Sequence, residues 1–493
     1  MTTTYDASTI VSSLAAFGEL PDWLAAGMDA RRVHESLLRH VPELHDGRVV
    51  LLAVRPDRLR AKDADWLARY TLVIAEPGGT HREIVLVGNL WSPGQRWGRP
   101  TANDPAGVAF GEPGWRCALP EPRLDLRTQA SDDALPALPR LVDPAEAARL
   151  LEPVLREAGY ADARITSCDP VVVRYKPGSR CTVVVGISYA DGSRGAVPPD
   201  RVVLKTHQGE KGGSAWEAMT ALWHRPLGWS GAVRLAEPLG YLADERILVQ
   251  GPVPGELTLK ELARRAIADG GTELLDRLRS ELSRTAKALA AVHGSGTSYG
   301  RTATLEDELA EVREVVDRLE GSVPQVAPAA QPLLSRLRDL ARETAADPAV
   351  SSHHDFRPAQ VLLDEEAVGF IDFDGACMAE PALDLGRFRA KLRDIGISAF
   401  GPDAPARSAE QRDADLRLVD DLCEGFLADY QEHRAVSRDR VLLWETCDLL
   451  TTLLHAWTKV RLARVEQRLT LLVHQIETGG LLDGTDQENA PRS

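Results

Sequence analysis

Apolar residues recur at helical spacing near the start of the chain: Ile10, Leu14 and Phe17, then Trp23, Leu24, Val33, Leu37 and Leu38. Runs of strand character follow at Val49–Val54, Tyr70–Ala75 and Ile84–Val87, with Pro77-Gly78-Gly79 as a turn between the last two. Residues 92–142 are rich in Pro, Gly, Asp and Arg and read as extended loop or linker, within which Gly114–Leu119 could pack on a neighbour. A second pattern begins near residue 143. Asp143 reads as the cap of a helix carrying Ala147, Leu150, Leu151, Val154 and Leu155. Strands are predicted over Pro170–Tyr175, Cys181–Tyr189 and Arg201–Thr206, separated by Lys176–Arg180 and by Ala190–Ser193. Another, Arg246–Gln250, ends at Gly251-Pro252-Val253-Pro254-Gly255. From Thr258, a cap with Glu261 three residues on, the period becomes helical through Leu274–His293, Leu305–Leu319 and Leu333–Leu340. Two more long helices are predicted within 405–475, and a polar, frayed tail beyond Gly479.

One stretch breaks this rhythm with chemistry. Ser351–Phe388 holds two short apolar runs, Val361–Leu363 and Val368–Phe373, joined by Asp364-Glu365-Glu366, which predicts a β-hairpin. Carboxylates sit where the hairpin meets the rest of the chain. Asp355 lies in His353-x-Asp355-x4-Gln360, and Asp372 in Ile371-Asp372-Phe373-Asp374. A hairpin returns its ends to one place, so Asp355, Gln360 and Asp372 should face a common point. Phosphoryl transfer needs such a set: a carboxylate to orient a hydroxyl and take its proton, and oxygen donors for magnesium. Isolated Asp residues in loops are usually turn formers or helix caps. Two such motifs in order, followed by Pro381-x-x-Asp384-Leu385, carry more weight than either alone.

The segment resembles the catalytic and metal-binding loops of the aminoglycoside phosphotransferase/choline kinase-like family. The resemblance implies an α+β, protein-kinase-like bilobal fold, with a β-rich N-lobe and a helical C-lobe, and here an extra N-terminal α+β cap domain. It makes Asp355 the catalytic base, and Gln360 and Asp372 the metal ligands, with Asp374 assisting and Asp384 bracing the loop. Gln360 departs from the family's Asn by one methylene; maltokinase-like sugar kinases resemble this chain in carrying Gln there. Lys205, at the end of a buried-looking strand, matches the lysine that meets the nucleotide phosphates, positioned by Glu217 of the following helix. Lys176, Ser179 and Arg180 occupy the place of the Gly-rich phosphate loop, with only one glycine among them. Gln250–Val253 stands at the hinge, where the backbone of Gln250 and Val253 would hold adenine. His293 reads as a packed histidine. The implied domains are a cap at 1–125, a linker at 126–142, the N-lobe at 143–250, the C-lobe at 251–480 and a flexible tail at 481–493.

Bulk properties narrow the setting. The 493 residues fit two or three domains, and 44% apolar content supplies full cores. No apolar run reaches the roughly 18 residues of a membrane span. MTTTYDASTI lacks the features of a signal peptide. Six cysteines without C-x-x-C spacing argue for reduced thiols and against zinc. These features predict a cytoplasmic protein. A net charge of −15 disfavours nucleic acid and anionic membranes, and faintly favours a cationic acceptor.

Residues 33–91 and 146–207 also share a rhythm of helix, strand ending in Val-Arg, basic connector and two strands. Ile84–Val87 then lies against Val202–Lys205, so the first copy has Val87 where the second has Lys205. Either this is a degenerate N-lobe-like repeat or two independent α+β segments.

The functional expectation is an ATP- and Mg2+-dependent phosphotransferase acting on a hydroxyl of a small molecule, sugar or aminoglycoside-like. Two alternatives stand beside it: a kinase-like enzyme acting on Ser or Thr of a biosynthetic peptide, and a pseudokinase binding module. The oligomeric state is left open.

Overall fold

The computed structural model describes residues 5–479 except 63–64, 77–78, 96, 98–107, 130–133, 191–195, 226–232 and 400–407. The turn expected at Pro77-Gly78 and part of the connector after Ala190 therefore lie outside the described residues. The chain divides into two compact units. One comprises 1–131, 308–340 and 449–493; the other comprises 132–307 and 341–448.

The first unit opens with the helices Ala7–Leu14, Asp22–Met28 and Ala30–His40. Asp6 caps the first through Thr9 N, and Asp29 caps the third through Arg31 N and Arg32 N. Five antiparallel strands follow: β1 (Val50–Lys62), β2 (Asp65–Ala75), β3 (His81–Leu90), β4 (Arg116–Leu119) and β5 (Leu124–Thr128). Their spatial order is β1-β2-β3-β5-β4. Strict alternation along β2 buries Trp66, Ala68, Tyr70, Leu72 and Ile74 on one face. Tyr70 satisfies its hydroxyl by donating to Gly27 O at 2.6 Å. Trp66 donates to Ser322 Oγ and Trp457 to Phe17 O, so the later segments complete this core. The reading of 92–142 as loop is corrected here, because β4 and β5 lie within it. Gly88 explains how β5 docks: a Cβ there would lie 1.6 Å from Asp125 O.

The second unit begins with the helix Pro144–Glu157, capped by Asp143 through Ala145 N and Glu146 N, as its sequence predicts. It packs on a second five-stranded antiparallel sheet. The strands are β6 (Ile165–Lys176), β7 (Arg180–Tyr189), β8 (Arg201–His207), β10 (Pro238–Leu242) and β11 (Ile247–Gln250), in the order β6-β7-β8-β11-β10. Leu151, Val154 and Leu155 of the helix meet Val183, Val185, Val202, Leu204 and Val249 of the sheet. The helix Lys211–Trp223 follows β8, and β9 (Val233–Leu235) pairs elsewhere.

Past β11 the chain becomes helical. Thr258 and Glu261 form a capping box for Leu259–Asp269, and Thr272–His293 follows. Short strands then carry the chemical segment: β13 (Val350–Ser352), β14 (Val361–Leu363), β15 (Val368–Phe370) and β16 (Cys377–Ala379), with β12 (Leu257–Thr258), just ahead of the first of these helices, pairing with β14. β14 and β15 form the expected hairpin, Val361 opposite Phe370. The helices Ala382–Ala399, Ala409–Gln431 and Arg438–Thr458 come next, and Leu462–Thr478 is last. Where two helices were expected within 405–475 there are three, broken at residues 432–437 and 459–461. A β-rich lobe followed by a helical lobe is the α+β, protein-kinase-like order.

Candidate active site

The site is built at the two ends of the β14–β15 hairpin. At its entrance, Asp384 holds the backbone: Oδ2 accepts from His353 N at 2.7 Å and Oδ1 from His354 N at 2.8 Å. Asp384 is wholly buried and is itself contacted by His293 Nε2 at 3.2 Å. Burial raises its carboxyl pKa, but the hydrogen bond from His293 and the neighbouring histidines more than offset this and hold it below the usual range. His293 also meets the Tyr430 hydroxyl at 2.8 Å, so it is a packed histidine, as expected. At the hairpin's exit, Asp372 adopts φ +74, a left-handed backbone uncommon for a residue with a Cβ. This turns the chain into the short helix Phe373–Gly375 and brings Asp374 alongside.

Gln360 links the two ends. Its Nε2 donates to Asp372 Oδ2 at 3.0 Å and stands 3.5 Å from Asp355 Oδ2. Asp355 is also paired with Arg357 at 3.0 Å. The three residues singled out from the hairpin are therefore in one place.

The β-lobe answers with cations. Lys205 Nζ lies 2.7 Å from Asp372 Oδ1 and 3.3 Å from Asp374 Oδ1. Arg180 Nη1 lies 2.9 Å from Asp374 Oδ2 and 3.4 Å from both Asp372 oxygens. His207 Nε2 lies 2.8 Å from Asp374 Oδ2. The side chains of Lys205 and Asp372 are each 9% exposed. Burial raises the Asp372 pKa, yet Lys205 and then Arg180 outweigh it and leave the carboxyl well below the usual carboxylate range. Asp374 is likewise lowered, burial being opposed chiefly by the His207 hydrogen bond and Lys205.

Other expected residues fall into place less tightly. Lys176 ends β6 and Arg180 starts β7, with Ser179 N donating to Lys176 O at 3.0 Å in the turn between them. Arg180 turns inward onto the carboxylates. Gln250 is buried at the end of β11, and Val253 packs over β15, where Gly369 makes room: a Cβ there would lie 2.3 Å from Val253 Cγ1. Glu217 is a correction. It sits on the expected helix, but its Oε1 accepts from Gly300 N at 3.1 Å and makes no ion pair with Lys205. With both Asp372 and Asp374 beside it, Lys205 has its counter-charge already. His207 went unnoticed in the sequence. It stands two residues after Lys205 on β8, hence on the same face, and its Nδ1 has no hydrogen-bond partner among the described residues.

Among the described residues, no group of three or more His, Cys, Asp or Glu side chains forms a metal cluster. Asp372 and Asp374 instead offer two carboxylates, hard-oxygen donors that suit a cation keeping part of its water shell, while Gln360 turns its amide Nε2 toward them. The six cysteines are buried and form no disulfide with one another. No helix of the described residues is long and apolar enough to cross a membrane.

Carboxylates on a turned hairpin, faced by a strand-borne lysine, define a protein-kinase-like phosphotransferase. Residues 201–442 match the model of the phosphotransferase enzyme family. Among solved structures, it is similar to a choline/ethanolamine kinase family protein from Mesorhizobium loti, at 15% identity over 68% of this chain and 96% of that one, TM-score 0.44. It is also similar to a glucosamine kinase in complex with glucosamine, ADP and inorganic phosphate, at 18% identity over 89% and 97%, TM-score 0.44. A thermostable mutant of the aminoglycoside phosphotransferase APH(4)-Ia, in apo form, matches at 14% identity over 68% and 100%, TM-score 0.43. No curated protein matches the chain.

Proposed function

We propose that this phosphotransferase moves the γ-phosphoryl group of ATP to a hydroxyl of a sugar-like small molecule. The observation that carries the reading is the single cluster formed by Asp355, Gln360, Asp372 and Lys205. Asp355 orients the acceptor hydroxyl and takes its proton. Lys205 and Arg180, with Lys176 and Ser179 in the turn beside it, clamp the phosphates, and the backbone between Gln250 and Val253 holds the adenine edge. Gln360, Asp372 and Asp374 would hold Mg2+, which supplies neutralisation of the charge on the transferring group. Lys205 and Arg180 already aim positive charge at this point, so they need little reorganisation as negative charge develops there. Glu217 acts at one remove, fixing Gly300.

The cap assignment belongs to the same proposal. The strands of residues 50–128 repeat the strand order of the nucleotide lobe, with Val87 in place of its lysine. This supports a degenerate repeat that does no phosphate chemistry.

The test is ADP release by purified protein with Mg-ATP across sugars, aminoglycosides and serine-containing peptides, together with the melting shift induced by Mg-ATP. Asp355→Asn should keep the shift and lose turnover, and Asp372→Asn should lose both. Absence of any shift or turnover in the parent protein would leave a binding module in place of an enzyme.

A further inference from the structure

Gln250 is a polar side chain in a place that sheets usually give to an apolar one. It closes β11 and is 4% exposed, yet its amide makes no hydrogen bond among the described residues. An amide carries one acceptor oxygen and two N–H donors, and burying them without partners costs stability. A buried group of that kind calls for a partner that arrives from outside the chain.

The strand register shows where the amide is aimed. Gln250 lies opposite Val203, and Leu248 lies opposite Lys205. Residues two positions apart on a strand share a face, so Gln250 and Val203 stand on the face from which Lys205 reaches Asp372. The alternate residues Ile247, Val249, Val202 and Leu204 belong to the core on the other face, with the helix Pro144–Glu157. Gln250 therefore looks into the cleft. Lys205 sits one strand over and two residues back, which sets out a base and then its phosphates along one face.

The segment that follows is poor in donors. Gly251 N is spent on Glu237 O at 2.8 Å, and Pro252 and Pro254 have no N–H. Val253 N is then the one donor of residues 251–254 without a partner among the described residues. The backbone alone offers a base little to hold, and the amide of Gln250 is the polar group placed to make up for it. Purines differ at position 6, where adenine presents an amino donor and guanine a carbonyl acceptor. An amide matches either by turning over: Oε1 accepts from the amino group, or Nε2 donates to the carbonyl.

We propose that the side-chain amide of Gln250 reads position 6 of the purine, so that the site takes both ATP and GTP as phosphoryl donors. This rests on the phosphotransferase reading above and names its donor class. The backbone of Val253 holds the edge of the ring, and Gln250 meets the group that distinguishes one purine from the other.

The experiment measures calorimetric binding of the Mg2+ complexes of ADP, GDP and the diphosphate of unsubstituted purine riboside to the full chain, as the parent protein and as Gln250→Met. In the parent, ADP and GDP should bind within about tenfold of each other, and each at least about tenfold tighter than the unsubstituted purine, the scale of one hydrogen bond. Gln250→Met keeps the side chain's length without its amide and should erase that advantage for both bases. An advantage retained in Gln250→Met overturns the proposal, and so does a parent preference for either base of more than about tenfold. The parent comparison needs no variant and decides the matter if Gln250→Met does not fold: unsubstituted purine bound as tightly as ADP and GDP overturns the proposal. If one base alone is bound, this proposal fails and the phosphotransferase reading survives. If no nucleotide is bound, both fall.

Discussion

The sheet of β1–β5 and the sheet of β6–β8, β10 and β11 run in the same order: first, second, third, fifth and fourth strand in sequence. Each is preceded by an amphipathic helix. Their third strands differ in what they carry. On β8, Lys205 lies opposite Thr182 and Leu248 and, together with Arg180 of β7, faces two carboxylates. On β3, Val87 lies opposite Arg69 and Arg127, and the row continues to Arg58 and Arg116. Like charges directly opposite one another weaken a sheet. Arg69 is relieved by Gln129 at 2.6 Å and Asp57 at 3.5 Å. The register also differs, since Thr182 pairs with Lys205 whereas Thr71 pairs with Val85. Shared strand order thus transmits a scaffold; the chemistry arises only where a loop delivers acid to meet the base.

The sharpest way to break the comparison is to exchange its central residues. Lys205→Met should lower turnover by about 10³-fold, the scale of losing a principal electrostatic contact to the transition state. Val87→Ala should leave turnover within about twofold. Steady-state ADP release measures both, and comparable losses would mean that the first sheet takes part in catalysis. Glu217→Gln should cost less than about tenfold, because the residue holds Gly300 and not Lys205. A loss equal to that of Lys205→Met would show that the lysine and glutamate pair during turnover.

The acid limb of stability offers a second contrast. The folded pKa values of Asp372 and Asp374 lie below their unfolded values of about 3.9. Between the two, the unfolded chain binds more protons, so stability rises with pH. The contribution is present above about pH 4 and is lost as pH falls through the folded values. Asp374→Asn should flatten the melting temperature over that acid range, and an unaltered slope would count against the ion cluster.

The smallest expected effect lies in the first unit at the alkaline end. Burial, with Arg461, Arg468, Arg58 and Arg60 nearby, lowers Lys459 from 10.5 to about 8. Its folded form sheds a proton sooner than the unfolded chain, so stability should increase from about pH 8 to about 10.5. Lys459→Met should raise the melting temperature at pH 7 and remove that increase. A uniform shift at all pH values would argue for packing instead of charge.

Much of the site was legible. The hairpin showed through two apolar runs around an acidic turn, and its end residues Asp355, Gln360 and Asp372 converge as a hairpin requires. The helix caps Asp143 and Thr258 were readable because a cap is a contact over three residues. Where the reading failed, the partner was distant. Glu217 was placed on the right helix with the wrong partner, since Gly300 N is 83 positions away. His207 had a signal, the period of two from Lys205, but nothing nearby in sequence marks Asp374 as its partner. β4 and β5 were missed because each is too short to show alternation inside a Pro- and Gly-rich stretch.

The order of elements, the hairpin and the spacing of the acidic motifs were determined by the sequence alone, because periodicity, turns and caps act over a few residues. Only the tertiary structure decided that Lys205 meets Asp372, 167 positions on. Ion pairs of that kind depend on how separate elements bring charges together in a buried place, and local sequence carries no record of that distance.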